Sequence, residues 1–104
     1  EVRSMLVKMS DFGTVLGTRV AGREAYQVIM DRTDALSDAA VFDFSGVTTI
    51  TNSFADEVFG RMVEEMGMAT LRSRTSFKNI NGMWAMVVRR AMDAHVGDRT
   101  PVSA

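Results

Sequence analysis

Apolar and polar positions alternate from Ser4 to Ser10, with Met5, Val7 and Met9 set against Leu6, Lys8 and Ser10, the period of a strand with one face in a core. Asp11, Phe12 and Gly13 suit a turn, and Val15 and Leu16 a short second strand. After Thr18, a residue type favoured at helix N-caps, Ala21, Ala25, Val28 and Ile29 recur at helical spacing while Arg23, Glu24, Gln27 and Asp31 fall elsewhere. This predicts a first helix ending near Arg32, followed by a loop of small and polar residues from Ala35 to Asp38.

The next stretch, 40 to 68, organises the chain. Phe42 and Phe44 share one side of an extended run and Val41, Asp43 and Ser45 the other, as in a central strand. Beyond Ser45 and Gly46 lies a connector with Thr48, Thr49 and Thr51. Apolar residues then recur at Phe54, Ala55, Val58, Phe59, Met62, Val63 and Met66, with Asp56, Glu57, Arg61, Glu64 and Glu65 opposite. Ser53 directly precedes this helical face and Asp56 follows it by three, a capping-box spacing with Asp in place of Glu or Gln, so the pattern puts the N-cap at or beside Ser53. Glycine at 67 closes the helix. An extended segment from Thr70 to Ile80, centred on Thr75 to Lys78, leads to a last helix capped by Asn81 or Gly82. One face of that helix takes Met83, Met86, Val87, Ala91 and Ala94, and an adjacent face takes Trp84, Val88 and Met92. The pattern predicts a single domain over 1–96 and a flexible tail over 97–104, with an α/β fold in which helices cover a small sheet.

Composition narrows the chemistry. The 104 residues are 46% hydrophobic and 24% charged, ordinary for one globular domain with its own core. There is no cysteine, which removes disulfides, thiol nucleophiles and cysteine-held metals. Neither a cofactor nor a metal is expected. No apolar run reaches the ~20 residues of a membrane span, and a cytoplasmic setting is expected. A net charge of −1 argues against a nucleic-acid binder, whose footprint would be a basic face. Asp11-Phe12-Gly13 matches a protein-kinase tripeptide, but a chain of this length has no room for that fold. Gly17 and Gly22 have the spacing of a phosphate-binding loop, yet Arg23 and Glu24 stand where Lys and Ser or Thr are needed. The single histidine, His95, has no evident nucleophile to serve, so no enzyme is expected.

At Phe42-Asp43-Phe44-Ser45-Gly46 and Ser53-Phe54-Ala55-Asp56-Glu57 the chain resembles a STAS-like family of uncharacterised bacterial and archaeal domains, and Gly17-Thr18-Arg19 with Ala21 fits the same pattern upstream. The resemblance spans roughly Met5 to Met92. It implies a small mixed sheet of about four strands packed by about three helices. The wider STAS group is typified by anti-sigma factor antagonists, in which a serine at the start of the helix after the central strand is phosphorylated by a histidine-kinase-like ATPase and phosphorylation weakens the complex. Ser53 falls on that position, with Thr51 where the antagonists carry Asp and Phe54 where they carry Gly.

The resemblance therefore implies a non-enzymatic regulatory module in signalling or transcription control. Ser53 would be its phosphorylation switch, and Thr51, Asn52, Phe54, Asp56 and Glu57 would contact an ATPase or anti-sigma-type partner. The residues also support a small-ligand or anion sensor, using the amides at the Ser53 helix start with Arg19 as counter-charge. Trp84, Val88 and Met92 offer a face for self-association into a homodimer, since methionine-rich faces adapt to partners.

Overall fold

The computed structural model describes residues 4–99, and the side chains of 4–96. Ser4–Lys8 forms β1, followed by a 3-10 turn over Met9–Phe12 that ends on Gly13, whose φ of 121° is open to glycine and strained for other residues. Val15–Leu16 is β2 and Arg19–Arg32 is α1, capped by Thr18 through its side chain and the Ala21 amide. Ala39–Asp43 is β3 and Thr49–Ile50 is β4. The long helix α2 covers 52–66. It opens as an α-helix at Asn52–Ala55, widens into a π-helical stretch at Asp56–Gly60 and closes as an α-helix at Arg61–Met66. Met68–Arg74 is α3, Thr75–Lys78 is β5 and Gly82–Arg99 is α4.

The fold is α/β, as the sequence implies, with two sheets. One has the order β1-β3-β5 and the other pairs β2 with β4. All pairings among the described strands are parallel, with Val7 opposite Phe42 and Phe42 opposite Phe77, where a mixed sheet of about four strands was expected. Parallel neighbours need crossovers, and α1 supplies one between β1 and β3 while α2 and α3 supply the other. The strand beyond the expected four is β4, within the threonine connector, whose β-branched residues pair with β2 instead of running free.

Phe42 of β3 and Phe44 just after it are buried in the core together, as their shared side predicts. The Phe59 ring of α2 meets Phe42 edge-on at 5.2 Å, and Phe77 of β5 lies 5.5 Å from both. Edge-on and tilted contacts of this kind add ~0.5–1.5 kcal/mol beyond the area they bury. Both α1 and α4 pack against α2, and its π-helical stretch is common to the two contacts.

Four expectations need correction. Residues 70–74 belong to α3, not to an extended segment, because Leu71 is buried and its one turn of helix is closed by Thr75 Oγ1 donating to the Leu71 carbonyl at 2.7 Å. The buried stripe of α1 runs through Gly22, Ala25, Tyr26 and Ile29, and Val28 is 42% exposed. Tyr26 is turned inward beneath the Arg61 guanidinium, 4.7 Å above its ring. The loop after α1 is more constrained than its composition suggests. Asp34, Ala35 and Leu36 all take left-handed backbone, and Leu36 is fully buried. Thr33 holds them by donating to Ile29 and accepting from the Leu36 amide, and Arg74 donates to the Leu36 carbonyl at 2.9 Å. Finally, α4 continues to Arg99, past the expected boundary at 96; the rest of the expected tail, 100–104, lies outside the described residues.

Candidate functional site

The site is built where β4 hands the chain to α2. The N-cap is Thr51 and not Ser53: the Thr51 hydroxyl accepts from the Phe54 amide at 3.2 Å and donates to the Gly17 carbonyl at 2.9 Å. The Thr51 amide also donates to the Leu16 carbonyl. One threonine thus ends the helix and ties it to the strand and turn ahead of α1. The reason Ser53 looked like the cap is local, since both residue types cap well; the carbonyls that select Thr51 come from more than thirty residues away.

With Thr51 as cap, the amides of Asn52 and Ser53 have no intrahelical acceptor. Asn52 is exposed and Ser53 half-buried. Every buried polar side-chain atom among the described residues has a hydrogen-bond partner, whereas the Ser53 hydroxyl has none among them, so that hydroxyl is not sealed from solvent. Phe54, by contrast, is fully buried. It anchors the first turn to the core and leaves the set of residues a partner could touch.

Asp56 and Glu57 follow Ser53 by three and four positions, so they share its side of the helix. Neither is a bare charge. Arg19, in the first turn of α1, donates to Glu57 at 3.2 Å and lies 3.7 Å from Asp56, and Arg23 stands 3.8 Å from Glu57. The structure therefore brings Arg19 to the helix start, as a partner of carboxylates. The closeness of the two helices rests on Gly22: a Cβ there would lie 2.8 Å from Glu57 Cβ and 3.1 Å from the Phe54 carbonyl oxygen.

Sequence reasoning set His95 aside for want of a nucleophile and missed its contacts. Its ring sits directly on Gly60 of α2, where a Cβ would come within 2.4 Å, and its Nδ1 pairs with Glu64 while Nε2 is 3.4 Å from Asp56. Burial works against the imidazolium, but the hydrogen bond to Glu64 and the charges of Glu64 and Asp56 outweigh it and raise the pKa above its ordinary value. A glycine inside an otherwise apolar helical stripe was the available signal, because such a glycine commonly marks a close approach.

Asp43 caps the other end of the same architecture. It accepts from the Asn79 side chain and the Ser45 amide, both at 2.9 Å, and these bonds lower its pKa. That assigns Asp43 to holding the turns after β3 and β5. The threonines are similarly engaged, Thr48 donating to the Thr14 carbonyl at 3.0 Å. Of the residues expected on a self-association face, Val88 and Met92 are only 3% and 8% exposed and Trp84 is partly buried, because α4 turns them toward α2 and the sheet. Met83 and Met86 are the exposed apolar residues of its first turns. No helix among the described residues is long and apolar enough to cross a membrane.

Against known proteins, residues 27–84 match the model of a family described as a STAS-like domain of unknown function (DUF4325). No curated protein and no solved structure gives a significant match.

Proposed function

The chain belongs to this family of STAS-like domains of unknown function, and on that premise we propose that it is a non-enzymatic regulatory module whose first turn of α2 meets a partner protein and whose Ser53 is the switch. The observation that carries this reading is the Ser53 hydroxyl, without a hydrogen-bond partner among the described residues and not sealed from solvent, in the first turn of a helix that Thr51 pins in place. Around it, Asn52 is exposed and Asp56 and Glu57 supply partly exposed carboxylates already balanced by Arg19 and Arg23.

A phosphoryl group on Ser53 adds about two negative charges to the face that holds Asp56 and Glu57. It competes with them for Arg19 and Arg23 and repels acidic groups across an interface, so the modified form releases its partner. The resemblance to anti-sigma factor antagonists supports a histidine-kinase-like ATPase as that partner. A small-ligand or anion sensor at the same helix start has less support, because the hydroxyls of Thr48 and Thr51 are committed to backbone carbonyls.

The test is incubation with ATP and a histidine-kinase-like ATPase encoded beside this protein, followed by intact-mass measurement. One phosphoryl group on the wild type and none on Ser53→Ala is the expected result. Absence of both phosphorylation and complex formation with every such ATPase would remove the proposal.

A further inference from the structure

A second surface shares no residue with the first turn of α2. β5 ends the order β1-β3-β5, so one of its edges is unpaired among the described residues. Lys78 spends its carbonyl on the amide of Phe44, the residue just after β3, at 3.0 Å. Successive peptide groups of a strand face opposite edges, so the amide and carbonyl of Phe77 point outward. Beside this edge runs a groove of about 760 Å³ between β5, α3 and α4, with Met68, Ile80, Met86, Val88 and Met92 among the side chains that line it. Arg72 and Arg89 also line it and, among the described residues, neither makes an ion pair and Asp93 is the one acidic side chain there.

We propose that this groove docks an extended peptide segment of a partner protein, with apolar side chains at alternate positions and acidic residues at its ends, added to the sheet as a strand beside β5. The outward peptide groups of Phe77 supply main-chain hydrogen bonds, the apolar floor takes every second side chain, and Arg72 and Arg89 select for acidic flanks. A second copy of this chain fits poorly. Two concave faces set against each other leave the hollow unfilled, and a two-fold contact would bring the arginines of both copies together.

The probe is a synthetic heptapeptide of alternating valine and threonine with a glutamate at each end, titrated into the isotope-labelled full chain and followed by NMR. Binding should shift the amides around Phe77 and Arg89 and slow hydrogen exchange at the Phe77 amide. Arg89→Glu and Met86→Glu, both at exposed positions, should each weaken binding about tenfold with unchanged melting curves, and a lysine-ended peptide should bind about tenfold more weakly. Equal binding of the two peptides, or no change at Phe77, overturns the proposal. So does a concentration-dependent dimer in sedimentation that Met86→Glu dissolves while the peptide leaves Phe77 unaffected, since a second copy would then be the occupant.

Discussion

Helices α2 and α4 both begin just after a strand, yet their first turns are made in opposite ways. Thr51 caps α2 through contacts with Leu16 and Gly17, and the next apolar residues, Phe54 and Ala55, go straight into the core. α4 is capped by its own neighbour: the Asn81 side chain accepts from the Trp84 amide at 2.8 Å and its carbonyl from Ala85. The residues that follow stay outside, Met83 being 67% and Met86 51% exposed. A start pinned by distant parts of the chain holds one half-buried serine in a fixed setting. A start made locally leaves apolar side chains over for a partner.

The largest expected effect breaks that setting. Phe54→Ala should cost about 3–5 kcal/mol in denaturant unfolding, whereas Met83→Ala should stay within about 0.5 kcal/mol. A similar loss at both positions would erase the contrast. The glycines near each start sharpen it further. At Gly22 an added methyl meets the Phe54 carbonyl and Glu57, so Gly22→Ala should destabilise by about 1–3 kcal/mol against the usual helical trend. At Gly82 nothing lies within 4 Å, and Gly82→Ala should be neutral or stabilise by up to about 1 kcal/mol. Both are read from unfolding midpoints. Thr51→Ala should then cost about 1–2 kcal/mol, because it loses the cap and the bond to Gly17, while Asn81→Ala should cost about 0.5–1 kcal/mol.

The smallest effect is one of pH. His95 gains Glu64 and Asp56 on folding and its pKa rises. The stability it contributes is therefore complete below the unfolded value of about 6.5 and is lost as pH climbs through the higher folded value. The urea midpoint should fall as pH rises from the unfolded value through the higher folded one, and His95→Gln should flatten that slope. An unchanged slope in the variant would show that His95 does not tie α4 to α2 in this way.

Much of the scaffold was legible because it is written in local signals. Thr18 ahead of Ala21 fixed the start of α1, the alternation through Phe42 and Phe44 fixed β3, and Val15 and Leu16 stood out as a strand. What escaped depends on partners remote in sequence. Ser53 and Thr51 are equal as caps until the Gly17 carbonyl is in place. Tyr26 and Val28 compete for the buried face of α1 until Arg61 comes over the Tyr26 ring. His95 is one polar residue near a helix end until Gly60 makes room for it. In α3, Met68 and Leu71 give too short an apolar repeat to outweigh the strand-favouring residues that follow. The start of α2 was thus legible as a stretch of sequence, while the structural roles within it were set by tertiary contacts: Thr51 as cap and Phe54 as anchor.

The central claim is that Ser53 governs contact with a partner at the first turn of α2. The most direct measurement is calorimetric titration of the histidine-kinase-like ATPase with the unmodified protein and with protein carrying phosphoserine at position 53. Binding of the unmodified form, weakened about tenfold or more by the phosphoryl group, is the predicted result. Equal affinity for the two forms would contradict it.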